Sequence, residues 1–585
     1  MDKTYFFCGW ESESYRLIRG TPPSYDKKAM EMTCCRNDFA AASLVLQNGE
    51  RFVLQLENHA EFFPQWNFPW GKFLVIRPEV DCPGLPDLTL SRVQMHQDDD
   101  RVEKADALFD WGSEIVEPWL PIQLFLRLNV PADTAAGTYS GTVRLYAHRH
   151  FEDEELIETL PFTVRVADVA LPAGEDRKFL LTIWQHPANI ARHHQVPLFS
   201  DAHFAILEDY TRTLSEMGNV TATVTVSDIP WVGQACFLKT DPFSDLFEYN
   251  FVRIFREADG GFSYDFSILS RYLNLCRRYG MTREIHIFGL VYNWTRPECD
   301  YGNITDDYPD AIRLRYLDKA DGCAKYMRKA ADIKAYISAL YRWLDAEGWL
   351  PYCLVSPDEP ADMEALERST AVLREAAPGF KIQADYDPFF LTAHPELNIE
   401  SYIPLIDTIV RSEEKEKGII QKAMAQCPGS HAWYTCCWPR ALNTLLCSPL
   451  IESRLIGPFT EWMKLDGFLR WAYTCWPADP IRDGKAMQWP VGDAYFVYPS
   501  AGGRPILSLR YFALKRGEGD YELMQMVKER CPGGEALVDK ALSTLIREPD
   551  MAKWNWDEAT EAQYSLTPAD YDAVRETLIN ALLNA

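Results

Sequence analysis

The chain has 585 residues, of which 47% are hydrophobic and 25% charged, and its formal net charge at pH 7 is −26. Clusters of Lys and Arg supply the affinity of proteins for nucleic acids and for anionic membrane surfaces, so this charge argues against both partners and favours a neutral ligand. The 18 Trp and 28 Tyr residues are more than packing alone usually requires, and surplus aromatic side chains often line sugar-binding sites.

The amino-terminal segment MDKTYFFCGW lacks the basic stretch and the apolar core of roughly 7 to 15 residues that mark a secretory signal. No run approaches the roughly 18 apolar residues of a membrane span, so we expect a cytoplasmic protein. The 15 cysteines include no CxxC pair, which favours buried free thiols over a zinc site. The sequence contains no HExxH or paired-histidine motif, and we predict neither a metal nor a cofactor.

Strand-like patterns dominate the first part of the chain. In residues 122–128 aliphatic side chains occupy every second position, and the segments AGTYSGTVRLYAH and PFTVRVADVALP show the same alternation. Turn residues separate these runs, and no long helical period interrupts them. We therefore predict an antiparallel β-sandwich over residues 1–174.

After Pro172 strands alternate with amphipathic helices, which is typical of a βα series. Eight strand candidates predict a central (β/α)8 TIM barrel over residues 175–480, with an insertion at 228–262. Residues 481–585 are expected to form a mostly helical region packed on the barrel. The sequence thus predicts a multidomain protein. The eight candidates are FLLTIWQ, VTATVTV, EIHIFGL, YCLVSP, KIQAD, DTIVR, HAWYTC and GFLRWA.

The fourth strand candidate runs into the segment YCLVSPDEP, which places Asp358 and Glu359 side by side just beyond an apolar run. In a barrel of this kind, catalytic groups lie at the carboxyl ends of the strands. Acidic residues at such a position also commonly solvate a loop or cap a helix, and Asp358 precedes both a proline and a predicted helix. Position alone therefore leaves both interpretations open.

Enzymes that hydrolyse glycosidic bonds usually use two carboxyl groups. One protonates the leaving oxygen, and the other stabilises the positive charge that develops at the anomeric carbon. A carboxylate nucleophile lies about 5 to 5.5 Å from the acid, generally on a different strand, a geometry that adjacent residues do not easily provide. Adjacent acids suit substrate assistance, in which the 2-acetamido oxygen attacks the anomeric carbon. Glu359 would then be the acid and base, and Asp358 would orient the acetamido N–H and stabilise the oxazolinium-like intermediate.

The DEP segment, together with GFLRWAYTCWPADP and GDAYFVYPSAGGRPILSLRYFALKRGEGDYELM, resembles glycoside hydrolase family 123. SDAHFAILEDYTRTLSEMG and DIPWVGQACF are similar to early barrel segments of that family, and AGTYSGTV to its amino-terminal sandwich, so the similarity extends over most of the chain. The resemblance implies a retaining β-N-acetylgalactosaminidase that uses substrate assistance, with Asp358 and Glu359 matching the catalytic pair. It implies a glycan or glycoconjugate carrying β-linked N-acetylgalactosamine (GalNAc) as the partner.

Three further residues are candidates for holding the sugar. Trp471, in the last strand candidate, would form an apolar floor, since the C–H faces of pyranoses stack on indole rings. Tyr434 is placed to donate to the acetamido oxygen, and Trp184 is a candidate because it ends the first strand. For Trp471 and Tyr434 ordinary packing inside the barrel is the competing interpretation.

Other candidates would select the sugar or extend the site. His286 lies in mid-strand, where it would reach a sugar hydroxyl or, alternatively, be a hydrogen-bonded core histidine. Asp385 and Tyr386 end the fifth strand and would read the axial hydroxyl that separates galacto from gluco sugars. Trp231 and Trp438 lie in long loops and are candidates for outer subsites.

Two other functions fit the same pattern. One is a glycosidase with a different sugar preference, such as a β-N-acetylglucosaminidase. The other is a carbohydrate-binding protein whose sandwich and aromatic cleft hold a glycan without cleaving it. The sequence leaves the natural aglycone and the oligomeric state open.

Overall fold

The amino-terminal part of the chain is built from strands. The computed structural model describes residues 5–56, 74–149, 152–230, 247–291, 302–309, 311–359 and 363–585. The strands before residue 172 are β1 (Phe6–Glu11), β2 (Met30–Arg36), β3 (Asp38–Asn48), β4 (Phe52–Gln55), β5 (Leu74–Asp81), β6 (Leu88–Gln97), β7 (Glu103–Phe109), β8 (Ser113–Val116), β9 (Ile122–Val130), β10 (Gly137–Arg149) and β11 (Glu155–Ala170).

These strands form two sheets around a shared apolar core. Their orders are β1-β3-β9-β6-β7 and β2-β11-β10-β5-β4-β8. Leu126 of β9 lies in one buried cluster with Val143 of β10 and Val164 of β11. The pairs β2–β11 and β4–β5 are parallel, whereas the sequence predicted an antiparallel arrangement throughout. Alternation of side chains reports which face of a strand is buried, and it carries no information about strand direction.

The later strands include eight that are all parallel, in the orders β24-β25-β12 and β13-β18-β21-β22-β23. Isolated parallel bridges, such as Leu181 with Asn219 and Tyr402 with His431, link the two sheets. The ladders therefore form two sheets, and the predicted closed barrel is not confirmed. The strands are β12 (Leu180–Ile183), β13 (Thr221–Thr225), β14 (Ile229–Pro230), β15 (Phe247–Glu248), β16 (Arg253–Arg256), β17 (Phe262–Asp265), β18 (Glu284–Phe288), β19 (Arg315–Asp318), β20 (Ala324–Tyr326), β21 (Cys353–Ser356), β22 (Lys381–Ala384), β23 (Ser401–Tyr402), β24 (Ala432–Tyr434) and β25 (Gly467–Arg470).

Helices alternate with the parallel strands, and the regular elements that follow β25 are helices. Ser200 begins one of them as its cap, because its Oγ accepts the His203 backbone N–H at 3.2 Å. The helices are α1 (Pro187–His193), α2 (Asp201–Glu216), α3 (Ser267–Arg278), α4 (Ala330–Ala346), α5 (Met363–Ala376), α6 (Pro388–Ala393), α7 (Ile406–Lys415), α8 (Ile419–Met424), α9 (Leu450–Trp462), α10 (Leu509–Arg530), α11 (Gly534–Leu545) and α12 (Pro568–Leu583).

One of the eight predicted strands is wrong. The segment DTIVR lies inside α7, and the parallel strand at that place in the series is the short β23. Ile406, Ile409 and Val410 are buried at helical spacing, followed by charged residues. A short apolar run contains too few residues to show whether its buried side chains repeat with the period of a strand or of a helix, which explains the error.

Two smaller sheets stand apart from the parallel strands. β14 pairs with β15, and a four-stranded sheet in the order β17-β16-β19-β20 is built from the connections that follow β13 and β18. The predicted insertion at 228–262 coincides with part of this structure, although residues 231–246 lie outside the described ranges. The domain boundaries at 174 and 480 stay predictions. Within the described ranges, no helix combines the length and apolar character needed to cross a membrane.

Candidate active site

A cavity of about 410 Å³ opens where the parallel strands end. Side chains at or just beyond the carboxyl ends of β12, β21, β22, β23, β24 and β25 line it. Parallel strands that end at one edge bring together residues that are distant in sequence. Six of the ten candidate residues predicted from the sequence therefore meet in this cavity, namely Trp184, Asp358, Glu359, Asp385, Tyr434 and Trp471.

The chain turns sharply between β21 and the carboxylate pair. Asp358 has a φ of 60°, in the left-handed region that few residues other than Gly, Asn and Asp adopt. Its backbone N–H donates to Ser356 Oγ at 3.4 Å, and Gln383 Nε2 donates to the same hydroxyl at 2.8 Å. Asp358 is half-buried and Glu359 exposed, and both side chains line the cavity. In a regular strand, successive side chains would point to opposite faces.

The hydroxyl of Tyr434 joins two carboxyl groups. It donates to Glu359 Oε1 at 2.6 Å and is also in hydrogen-bonding contact with Asp385 Oδ2. Burial raises the pKa of Asp385 well above its ordinary value, and the negative charges of Glu359 and Asp358 raise it further. Burial, Asp385 and Glu359 also raise the pKa of Tyr434, which therefore stays a neutral phenol.

A buried carboxylate fixes the orientation of Trp471. The indole Nε1–H donates to Asp493 Oδ2 at 3.1 Å, and Arg470 donates to Asp493 Oδ1 at 2.8 Å. Burial raises the pKa of Asp493, although Arg470 and Trp471 oppose that shift. Arg470 also donates to the Thr435 carbonyl at 2.6 Å, which ties β25 to the end of β24. Trp471 is thus held in the cavity wall by an ion pair behind it.

His286 lies behind Trp184 and does not line the cavity. The Trp184 Nε1–H donates to His286 Nδ1 at 3.3 Å, and His286 Nε2 is 3.0 Å from Glu284 Oε2. The histidine is fully buried. Its contacts are those of the hydrogen-bonded core histidine that was the alternative interpretation, and its predicted contact with a sugar hydroxyl stays a prediction.

Tyr386 is also buried outside the cavity lining. Its carbonyl accepts the Tyr402 hydroxyl at 3.1 Å, and its ring meets that of Phe390 edge-on at 6.3 Å. Trp438 is half-buried and does not line the cavity, and Trp231 lies outside the described residues. The roles predicted for these three residues stay predictions. Among the described residues, no three His, Cys, Asp or Glu side chains are grouped as ligands for a metal ion.

The sequence did not single out nine of the cavity-lining side chains, and four of these carry an amide, thiol or indole group. Gln383 lies two residues before Asp385, so the period-two alternation of β22 was a signal that both share one face. Cys436 and Cys437 follow one residue after the end of β24, and their Sγ atoms are 3.9 Å apart. Trp489 lies in the connection after β25, where no periodic pattern points to it. The four are Gln383, Cys436, Cys437 and Trp489.

Comparisons with known proteins agree with this arrangement. The family "Glycoside hydrolase 123, catalytic domain" matches residues 184–527, a range that includes all of the cavity-lining side chains. A family 123 glycoside hydrolase from Clostridium perfringens, studied for glycolipid glycan hydrolysis, has a TM-score of 0.71 and 16% identity, covering 99% of this chain and 98% of its own.

A second solved structure, Bacteroides thetaiotamicron EndoBT-3987 with Man5GlcNAc product, is 9% identical with a TM-score of 0.23, covering 84% of this chain and 99% of its own. That similarity is too weak to bear on this chain. No curated protein sequence matches. The family match alone extends over more than half of the residues, from the end of β12 into α10. The chain therefore belongs to glycoside hydrolase family 123, and it is a glycoside hydrolase.

Proposed function

We propose that the protein is a retaining exo-β-N-acetylgalactosaminidase that uses substrate assistance, with Glu359 as general acid and base and Asp358 as the group that holds the acetamido N–H. The observation that carries the proposal is that these two adjacent carboxylates both line one cavity. Family 123 membership supports glycan hydrolysis. The Clostridium perfringens neighbour, studied for glycolipid glycan hydrolysis, supports a glycoconjugate as the source of the substrate.

The third carboxyl group of the cavity is poorly suited to be a nucleophile. Asp385 is half-buried, contacts the Tyr434 hydroxyl, and has a pKa raised first by burial, so it resists forming the carboxylate that would attack. Asp358 and Glu359 are adjacent, and they do not easily flank a sugar ring at the separation of about 5 to 5.5 Å that a carboxylate nucleophile requires. Both points favour a nucleophile that belongs to the substrate.

The reaction then proceeds in two steps. The 2-acetamido carbonyl oxygen attacks the anomeric carbon while Glu359 gives its proton to the glycosidic oxygen, and the bond to the leaving group breaks. Asp358 accepts the acetamido N–H and stabilises the positive charge of the oxazolinium intermediate. Water next attacks the anomeric carbon and gives a proton to Glu359, which reopens the ring. Two inversions leave the anomeric configuration retained.

The walls of the cavity would position the sugar ring. Trp471, fixed by its bond to Asp493, would offer the indole face as a floor, and Trp184 would close the side formed by β12. Asp385 would read the axial hydroxyl that distinguishes galacto from gluco sugars. Tyr434 would donate to the acetamido oxygen once the substrate displaces one of its present contacts.

We also propose that the eight parallel strands act as one (β/α)8 barrel. The two sheets that contain them are joined at one seam by the bridge of Leu181 with Asn219 and at the other by the bridge of Tyr402 with His431. A barrel would explain why six strand ends converge on a single cavity.

The test is hydrolysis of matched aryl β-glycosides of GalNAc, GlcNAc and galactose, with the anomeric configuration of the first product followed by NMR. We expect activity on the GalNAc glycoside alone, with the β product appearing first. Glu359→Gln should lose about 10²- to 10⁴-fold in kcat/KM on substrates with poor leaving groups. Glu364→Gln, which changes an exposed carboxylate at the start of α5, is the matched control.

Results other than the expected one would favour a different function or mechanism. Preferred hydrolysis of the GlcNAc glycoside would make the protein a β-N-acetylglucosaminidase. Equal hydrolysis of the galactose glycoside, which lacks the acetamido group, would contradict substrate assistance. Intact ligand recovered after tight binding would favour a carbohydrate-binding protein.

A further inference from the structure

The contacts of the Tyr434 hydroxyl require a proton that the phenol itself cannot supply. Its oxygen lies 2.6 Å from Glu359 Oε1 and in hydrogen-bonding contact with Asp385 Oδ2. A phenol carries one O–H, and an ionised carboxylate can only accept. If both carboxyls were ionised, one of them would face the phenolic lone pairs at short range. One of the two carboxyls therefore carries a proton and donates it to the Tyr434 oxygen.

The surroundings of the two carboxyls decide which of them holds that proton. Asp385 is half-buried, and burial disfavours its charged form, whereas Glu359 is exposed to solvent, which stabilises a carboxylate. Asp385 also lies in the field of two negative charges, those of Glu359 and Asp358. The proton belongs on Asp385, so the hydrogen bonds run from Asp385 to the Tyr434 oxygen and from the Tyr434 O–H to Glu359.

We infer that Asp385 is a positioning residue that stores the catalytic proton and returns it to Glu359 through the Tyr434 hydroxyl. The inference rests on the proposed role of Glu359 as general acid. Before the substrate takes over the contact between Tyr434 and Glu359, Asp385 gives its proton to the Tyr434 oxygen while the phenolic proton passes to Glu359. Asp385 becomes a carboxylate, Glu359 becomes a carboxylic acid, and Tyr434 is unchanged, so the total number of protons is conserved.

This relay solves a problem that the exposure of Glu359 creates. A carboxylate in contact with solvent can protonate a leaving group only after it has taken up a proton, and the relay supplies that proton from Asp385. Two carboxyls that share one proton lose it at a higher pH than either would alone. The groups that act on this pair are Asp358, Tyr386, Tyr402, Cys436, Cys437, Asp493 and the backbone N–H of Leu405.

The test compares the pH dependence of kcat/KM in the wild type and in Asp385→Asn. The asparagine amide still donates a hydrogen bond to the Tyr434 oxygen, but it is not an acid and cannot release a proton. A substrate with an alkyl leaving group needs the general acid. On such a substrate we expect the alkaline limb of the pH profile of kcat/KM to shift to lower pH by about one unit or more. On a dinitrophenyl glycoside, which needs no acid, the limb should stay in place.

Two more variants separate the relay from a structural effect. Tyr434→Phe keeps the ring, interrupts the relay, and should move the alkaline limb in the same direction. Tyr352→Phe removes an exposed hydroxyl just before β21, outside the cavity, and should leave the limb where it is. The inference is overturned if the limb of Asp385→Asn coincides with that of the wild type, or if Tyr352→Phe moves it equally.

An infrared measurement keeps the inference testable if a variant is inactive. At pH 7 the free wild-type protein should show the C=O stretch of a protonated carboxyl group that is missing from Asp385→Asn, and a difference spectrum without that band would overturn the inference. Glu359→Gln separates the two proposals. If that variant still cleaves alkyl glycosides, the proposed function fails. If it does not cleave them and Asp385→Asn leaves the limb in place, only the relay fails.

Discussion

The thiols of Cys436 and Cys437 differ although the two residues are neighbours in the cavity wall. The hydrogen bond from the Cys436 thiol lowers the pKa of Cys437, and Arg470 adds to this against the opposing effect of burial. The same pairing and burial raise the pKa of Cys436 well above its ordinary value. Reactivity of a cysteine follows its thiolate fraction and its access to solvent. Cys437, which is half-buried beside the site, therefore combines both conditions.

We predict that iodoacetamide inactivates the enzyme by alkylating Cys437, because an added group would occupy the cavity. Activity should fall with a single exponential, and GalNAc should slow the loss. Cys437→Ala, measured against its own starting activity, should resist the reagent. Cys323→Ala, which removes an exposed cysteine far from the cavity lining, should stay as sensitive as the wild type. Equal sensitivity of Cys437→Ala and the wild type would contradict the prediction.

At the scale of elements, α9 and α10 approach each other closely enough that only glycine fits at their crossing. A methyl group at Gly457 would lie 1.9 Å from the carbonyl oxygen of Gly517, and one at Gly517 would lie 2.3 Å from that of Arg454. Backbone atoms at such distances cannot give way without separating the helices. At Gly519, also in α10, the nearest atom is Leu171 Cδ1 at 3.2 Å, the end of a flexible side chain.

We predict that Gly517→Ala lowers the free energy of unfolding by about 1–3 kcal/mol, since overpacking between the helices outweighs the better helix propensity of alanine. Gly519→Ala gains about 1 kcal/mol of propensity, and the small displacement of Leu171 offsets part of it. It should therefore stay within about 1 kcal/mol of the wild type. Urea denaturation of both variants measures the difference, and equal destabilisation by the two changes would show that the crossing is not the cause.

The elements themselves were largely predictable from local pattern. EIHIFGL and GFLRWA contain β18 and β25, because buried parallel strands appear as short apolar runs. DTIVR failed because helix and strand patterns cannot be separated over five residues. In the site, the adjacency of Asp358 and Glu359 was visible. Tyr434 and Asp385 are 49 residues apart in the sequence, and only the fold brings these two side chains into contact.

At the scale of the whole molecule, one buried ion network connects the sheet-rich region to the later helices. Asp38 of β3 lies 2.9 Å from Arg516 of α10 and 2.5 Å from Arg575 of α12. Arg575 also contacts Asp520 at 2.5 Å, and Asp520 contacts Arg454 of α9 at 2.7 Å. These charges are nearly all shielded from water, so each depends on its partners for compensation. Local sequence patterns carry no trace of such a network, because its members belong to four separate elements.

The network makes the stability of the regions interdependent and dependent on pH. Burial alone would raise the pKa of Asp38, but Arg516 and Arg575 outweigh it, and the pKa is lowered. A carboxyl whose pKa is lower in the folded state stabilises the fold above its unfolded pKa of about 3.9. That contribution is lost as the pH falls through the folded-state value. Acid should therefore loosen the attachment of the sheet-rich region to the helices.

We predict that Asp38→Asn lowers the free energy of unfolding at pH 7 by about 3–5 kcal/mol, because it removes the carboxylate that the buried Arg516 and Arg575 share and leaves part of their charge uncompensated. The control is Asp168→Asn, which breaks the surface pair with Arg36 at 2.8 Å and should cost less than about 1 kcal/mol. Guanidinium denaturation measures both. The difference in unfolding free energy between Asp38→Asn and the wild type should shrink below about pH 4, where Asp38 is protonated first in the unfolded state and at still lower pH in the folded state. A loss as small as that of Asp168→Asn would mean that the regions are joined by apolar packing instead of by the buried charges.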